Sequence, residues 1–329
     1  MDGIGHRAET LVALRGLTVA FQGVPALRGI DLDVRRGEAV GLVGESGSGK
    51  SITWLAALGL LPKSARVSGS VTLEGKELIG AAPSVLDEVR GGRIAMIFQD
   101  PATALNPVHR VGRQVEESLR LHRGMDGAAA AAEARRLFDL VGIPDAGRRR
   151  HAFPHEMSGG QNQRVMIAMA LAGQPELLIA DEPTTALDAT IQAQILDLLR
   201  RLQAESGMAL VLISHDLGVV ADMCSRVGVI YAGRIIEEAP ADVLFAEPAH
   251  PYTRGLLGAL PDMVGPRRRL LAIPGGVPEP WNLPPGCAFA PRCAEALPAC
   301  SASVPVFREA GHDHAAACIR VGVRENVPA

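Results

Sequence analysis

Gly44-Glu45-Ser46-Gly47-Ser48-Gly49-Lys50-Ser51 constrains this chain more than any other stretch. It fits the pattern G-x-x-x-x-G-K-[S/T], a loop whose backbone amides converge on the phosphates of a nucleoside triphosphate. The glycines allow the tight turns that the convergence requires. Lys50 adds a mobile positive charge for the terminal phosphates, and the Ser51 hydroxyl is placed to ligate Mg²⁺. The motif needs a strand before it and a helix after it. Glu38 to Val43 reads as a short buried strand, and the apolar run from Ile52 to Leu61 reads as a helix.

The rest of the chain supports such a loop with an alternating α/β pattern. Residues 10 to 44 alternate apolar and polar character around Gly16, Gly23 and Gly37, which predicts antiparallel strands. Further strands are expected over Val67–Glu74, Arg93–Phe98, Leu177–Ala180 and Leu210–Ile213. Val227–Tyr231 and Arg234–Glu237 read as a closing hairpin about Ala232-Gly233. Helical spacing runs from about Val111 to Val141, from Gly160 to Leu171, and from Ile191 to Leu202. Strands alternating with helices imply a mainly parallel sheet flanked by helices. The helical stretch at about 105–172 is an insertion into that pattern. After about Pro248 prolines become frequent and charges thin out, except at Arg267–Arg269. That texture predicts a loop-rich appended domain needing a staple such as a metal centre.

Composition sets outer limits. The chain has 329 residues, 47% of them hydrophobic, and a formal net charge of -3. A large core is expected, and the charge is no footprint for nucleic acid. No apolar run is long enough to cross a bilayer, and Met1 to Arg7 lacks an apolar signal core. The expectation is a soluble protein whose membrane role comes through a partner. In a reducing compartment its five cysteines would not form a disulfide frame.

Three more groups carry chemistry. Leu177–Ala180 ends in Asp181 and Glu182, where one carboxylate can hold Mg²⁺ through water and the next can polarise an attacking water. Ser158, Gly159, Gly160 and Gln161 open an apolar helix with a serine N-cap and uncovered amides, an arrangement that binds phosphate. One chain cannot easily present both this helix and the Gly44–Ser51 loop to the same phosphates, whereas two chains packed head to tail can. Gln99 and His215 each follow a predicted strand, at the end that faces ligand in parallel sheets.

This combination resembles the ATP-binding subunit of ABC transporters. Gly44–Ser51, with Ile52 beside it, looks like the Walker A motif, Gln99 the Q-loop, and Ser158–Gln161 the signature. Asp181 and Glu182 look like Walker B, Ala186-Leu187-Asp188 the D-loop, and His215 the switch histidine. Phe21 stands where the family places an aromatic against adenine. The signature begins with Met157 rather than the common leucine, a swap of similar volume. The resemblance implies a P-loop NTPase of the α/β class. It would have a RecA-like parallel core, an N-terminal antiparallel β subdomain and an inserted α-helical subdomain. The nucleotide-binding domain would span 8–248, and a small Cys-containing extension 249–329. Gln99–Pro107, Arg164–Leu171 and His250-Pro251-Tyr252-Thr253 are similar to segments of dipeptide and oligopeptide importers.

Cys287, Cys293, Cys300 and Cys318 lie in the extension, separated by five, six and seventeen residues. Four thiolates suffice for an iron–sulfur cubane, and the spacing lacks the Cys-x-x-Cys knuckle common at structural zinc. The resemblance also favours a [4Fe–4S] cluster, with zinc as the alternative and His312 or His314 as spare ligands. Cys224 is expected to be a buried structural thiol.

The implied activity is Mg²⁺-dependent ATP hydrolysis driving peptide import. The implied partners are a second, different ATPase subunit forming a heterodimer, two permeases and, indirectly, an extracytoplasmic peptide-binding protein. The implied location is the cytoplasmic face of the inner membrane. Import of nickel or another small solute is the first alternative, and a soluble ABC ATPase without a permease is the second.

Overall fold

The computed structural model describes residues 9–185, 187–259 and 272–322. Met1 to Arg7, Ala186 of the expected D-loop, and Arg267–Arg269 lie outside them. The strands are β1 (Thr10–Phe21), β2 (Val24–Arg35), β3 (Ala39–Val43), β4 (Ala65–Leu73), β5 (Lys76–Glu77) and β6 (Ile94–Ile97), followed by β7 (Leu177–Asp181), β8 (Ala209–Ile213), β9 (Arg226–Tyr231), β10 (Arg234–Pro240), β11 (Arg308–Gly311) and β12 (His314–Ala316). The helices are α1 (Lys50–Ala57), α2 (Pro83–Val89), α3 (Pro101–Ala104), α4 (Val111–Arg123), α5 (Gly127–Leu140) and α6 (Ala146–Arg149), then α7 (Gly159–Ala172), α8 (Ala189–Ser206), α9 (Leu217–Met223), α10 (Ala241–Ala246) and α11 (Pro251–Gly258).

Two units share the chain, and neither is continuous. The first takes, of the described residues, Glu9–Val12, Val34–Ala39 and Lys76–Ile213. The second takes Ala13–Asp33, Val40–Gly75 and the described residues from Ser214 to Gly322.

In the first unit β6, β7 and β8 run parallel, with Ile97 beside Ala180 and Ala180 beside Leu212. Every residue of β7 and β8 is buried, which explains why they are apolar apart from Asp181 at the end of β7: a strand covered on both faces has no polar side to show. The inserted helical stretch breaks where Gly124 takes a left-handed conformation (φ 60°) and caps α4. Asp126 then restarts the chain as α5, its carboxylate accepting from Ala129 N–H. Helix α7 packs against α4, α5 and β6, so its Val165, Ile167 and Ala168 are fully buried.

In the second unit β3 pairs in parallel with β9, Val43 beside Val229. Strand β9 turns through Ala232 (φ 45°) and Gly233 (φ 77°) into antiparallel β10. Both turn residues are left-handed, which matches the twist of a two-residue hairpin. Helix α9 lies so close to β3 that a Cβ on Gly41 would stand 2.4 Å from Val220 Cγ1. Cys224, the expected structural thiol, caps α9 and is buried, which pushes it up to about 12. A separate sheet places β1 between β2 and β4.

The appended segment is less irregular than its composition suggests. It contributes a hairpin, β11–β12, and β12 pairs antiparallel with β10. One carboxylate ties this region together. Glu237 on β10 is fully buried and accepts from Ala249 N–H (2.6 Å), His250 N–H (2.9 Å) and His314 Nε2 (2.8 Å). Thus the entry to α11 and the first residue of β12 share one acceptor group.

Candidate functional site

The phosphate-loop sequence follows β3 and belongs to the second unit. Gly44 leaves the strand at φ 150°, where a Cβ would meet Ile230 O at 2.2 Å. Gly47 and Gly49 are left-handed (φ 77° and 111°), and a Cβ on Gly49 would stand 2.6 Å from Leu27 Cδ2. All three positions strain an L-residue's backbone, and at Gly44 and Gly49 a Cβ would also clash, whereas Gly47 has open space beside it. The β9–β10 turn braces the loop from behind: Gly233 N–H donates to Ser48 O (2.9 Å), and Arg28 N–H to Gly233 O (2.8 Å).

Lys50 starts α1. Its buried Nζ donates to Gly44 O (2.8 Å) and Glu45 O (3.0 Å), so the cation bends back across the loop onto its carbonyls. Ser48 Oγ is buried and has no hydrogen-bond partner among the described residues. Ser46 and Gly47 are exposed, and Ser51 and Ile52 are half-buried at the start of α1. A loop closed to a Cβ at Gly44 and Gly49, a retracted cation and an unused buried hydroxyl suit a polyphosphate with its Mg²⁺.

The carboxylate group belongs to the first unit. Asp181 ends β7 and is buried. Glu182 follows at φ 47°, its N–H donating to Ile213 O (2.9 Å). That conformation is rare for glutamate and is held by this bond. Its Oε2 accepts from Gln99 Nε2 (3.0 Å) and from Thr185 Oγ1 (2.9 Å). Gln99 and Glu182 meet because each stands two residues beyond the registered pair Ile97–Ala180 of parallel β6 and β7. Thr185 was not singled out by sequence reasoning; a threonine three residues after Glu182 gives no signal by itself. A half-buried carboxylate oriented by two donors can accept a proton from water while keeping a fixed direction.

Ser158 and Gln161 form a reciprocal cap on α7. Ser158 Oγ accepts from Gln161 N–H (3.3 Å), and Gln161 Oε1 accepts from Ser158 N–H (3.1 Å). Gly160 brings α7 against the start of α8, where a Cβ would stand 2.7 Å from Ile191 Cγ2. Gly159 faces Leu187. Asp188 caps α8 by accepting from Thr190 and Ile191 N–H (3.1 and 3.0 Å). The first unit therefore brings Ser158–Gln161 beside the start of the Asp188-capped helix, and Gln99 beside Glu182. Phe21 and His215 belong to the second unit. Phe21 is half-buried at the end of β1, and His215 is exposed just before α9.

The four C-terminal cysteines require a correction. Among the described residues no group of three or more His, Cys, Asp or Glu side chains is disposed to hold a metal ion, so neither the [4Fe–4S] cluster nor zinc stands. All four are free thiols. Cluster and zinc ligands must be thiolates, and burial works against that: it pushes the Cys287 and Cys293 thiols up. Cys300 Sγ instead accepts from Leu297 N–H, and Cys318 packs with Ala316, Val321 and Ala249. The spare histidines are taken as well. His314 is bound to Glu237, and the exposed His312 pairs with Asp313. The staple expected of a metal is supplied by Glu237 and this apolar packing.

A parallel α/β core with a glycine-bent loop between buried strand and helix defines a P-loop ATPase. Residues 27–185 match the ABC transporter family model, and residues 236–300 match the C-terminal region of oligopeptide/dipeptide transporters. A putative peptide import ATP-binding protein of Brucella abortus is 50% identical over 313 residues, covering 94% of each chain. A probable peptide ABC transporter ATP-binding protein of Sinorhizobium fredii is 51% identical over 321 residues, covering 95% of this chain and 96% of its own. Two solved structures share the fold. A dimeric post-hydrolysis ATP-binding cassette bound to ADP and Pi is 30% identical, with a TM-score of 0.63 over 70% of this chain and 98% of its own. The cbiO1 protein of Clostridium perfringens, part of an ABC transporter complex, is 28% identical, with a TM-score of 0.62 over 73% of this chain and 92% of its own. The chain belongs to the ATP-binding subunits of ABC transporters, in the peptide and oligopeptide importer branch. It is an ATPase of that family. Among the described residues no helix is long and apolar enough to cross a membrane.

Proposed function

We propose that this chain hydrolyses ATP to drive peptide uptake through a membrane permease. The observation that carries the reading is the Gly44–Ser51 cradle, closed to a Cβ at Gly44 and Gly49 and holding Lys50 on its own carbonyls. On ATP binding Lys50 exchanges those carbonyls for phosphate oxygens. The amides of Gly47 to Ile52 and the Ser48 hydroxyl line the phosphates, and Phe21 stacks on adenine. Ser51, Asp181 and Gln99 would hold Mg²⁺, which would supply positive charge to offset that of the phosphates. Glu182, oriented by Gln99 and Thr185, takes the proton of the attacking water, and His215 also promotes the attack. The water oxygen bonds to the γ-phosphorus, the bond to the bridging oxygen breaks, and ADP and phosphate leave.

Ser158, Gly159, Gly160 and Gln161 of a second ATPase subunit close the site from the other side, and Asp188 lies at that seam. The head-to-tail pair drives two permeases, fed by an external peptide-binding protein, from the cytoplasmic face of the inner membrane. Peptide is preferred as cargo because the Brucella abortus relative is a putative peptide import protein and the Sinorhizobium fredii relative a probable peptide transporter subunit. The nucleotide-binding domain is read as 8–248, with its helical part at about 105–172, and the extension as 249–329. Lys50→Ala tests the core of the scheme. Turnover should fall by about 10²-fold or more with loss of ATP affinity, and wild-type turnover in that variant would refute the loop's role.

A further inference from the structure

Glu45 is the only acidic residue of the phosphate loop, and the appended C-terminal segment holds it at both ends. Its backbone N–H donates to Tyr252 Oη of α11 (2.9 Å). Its carboxylate receives both arms of one guanidinium, Arg292 Nη1 to Oε1 at 2.8 Å and Nη2 to Oε2 at 3.1 Å. Arg292 is itself almost enclosed, its side chain 7% exposed. Nε donates to Pro274 O (2.8 Å), Nη2 to Gly275 O (3.3 Å), and Nη1 to Tyr231 Oη (3.3 Å). Its Cζ lies 5.9 and 6.0 Å from the ring centroids of Tyr231 and Phe289. Tyr231, Tyr252 and Phe289 pack on one another, with centroids 4.6 to 5.4 Å apart.

A carboxylate beside bound phosphates repels them, and the repulsion is strong where water is scarce. A buried guanidinium in fork geometry removes that repulsion and fixes the carboxylate's direction, which a single-point cation does less well. The Tyr252 hydroxyl occupies the Glu45 amide and sets the backbone at the loop's first turn. Lys50 Nζ rests on the carbonyl of the same residue, so the position of Glu45 bears directly on the cation that meets the γ-phosphate. We propose that Arg292 and Tyr252 are positioning residues for ATP binding: the appended segment neutralises and orients Glu45 so that the loop accepts a triphosphate. The proposal rests on the reading of Gly44–Ser51 as the ATP cradle.

The test uses the full chain assembled with its transporter partners, with KM for ATP and kcat measured separately. Arg292→Ala should raise KM about tenfold with kcat within about twofold. Arg292→Lys, which keeps charge but loses the fork, should raise it by an intermediate factor and serves also if the alanine variant fails to fold. Adding Glu45→Gln to Arg292→Ala should recover at least half of the loss on a logarithmic scale, since the uncompensated charge is then gone. Wild-type KM in both Arg292 variants overturns the proposal. So does a double variant no better than Arg292→Ala, because the loss would then be one of packing alone. Lys50→Ala separates the two readings. If it loses ATP while the Arg292 variants keep wild-type KM, only the present proposal fails; if Lys50→Ala keeps ATP, the cradle itself has been misread.

Discussion

Glu182 stands at a junction of backbone and side-chain constraints. A left-handed backbone is unfavourable for glutamate, and the bond to Ile213 O holds it in that conformation. Glu182→Gln keeps the shape while removing the proposed proton acceptor. ATP should still bind and turnover should fall by about 10²-fold or more, read as single-turnover hydrolysis; a wild-type rate would remove Glu182 from the proton path. His250 gives a second prediction. Its buried Nδ1 accepts from Tyr252 N–H (3.0 Å), and burial, with Arg254 nearby, holds its pKa down to about 4 from the ordinary 6.5. Between those values the unfolded chain binds the extra proton. The stabilisation is therefore complete above pH 6.5 and is lost as pH falls toward 4, by about 3 kcal/mol in all. His250→Asn retains a capping acceptor and should flatten that slope in denaturant unfolding between pH 7 and 5. At this scale the motif residues were legible because their spacing is local. Arg292 and Tyr252 were not, since nothing in a one-dimensional reading joins a residue to a partner 247 positions away. The cysteines show the converse error: four thiols close in sequence say nothing of where their sulfurs point.

Among the elements, those with strong local patterns matched expectation. The buried strands β3, β7 and β8 were apolar runs, broken only by Asp181 at the end of β7, and of the expected α8 face Ile195, Leu198, Leu199 and Leu202 are buried while Ile191 is half-buried. The hairpin β11–β12 was not foreseen. Arg308–Gly311 is exposed throughout, and His314-Ala315-Ala316 has no β-branched residue, so pairing with β10 rather than propensity makes it a strand. The approach of α7 to α8 can be probed directly. Gly160→Ala places a methyl 2.7 Å from Ile191 Cγ2, and thermal unfolding should show a loss of about 1–3 kcal/mol. Adding Ile191→Ala should return part of it, the mark of two coupled neighbours. Additive losses would mean the helices do not meet there.

For the molecule as a whole, the expected sites divide between the units: Gly44–Ser51, Phe21 and His215 in one, Gln99, Ser158–Gln161, Asp181, Glu182 and Asp188 in the other. The proposed cycle requires two copies or a close relative, so pairing should depend on nucleotide. The Glu182→Gln variant with MgATP should elute as a pair of cassettes on size exclusion, and Lys50→Ala should not; pairing indifferent to nucleotide would exclude the cycle. The interleaving of the units also bears on biosynthesis. The chain visits each body more than once, and the first cannot be completed until Ile213 has been made. The second needs segments from both ahead of and beyond that point. A ribosome making this protein therefore releases neither body early, and the glycine cradle, translated near the start, stays exposed to chaperones until its distant bracing strands emerge.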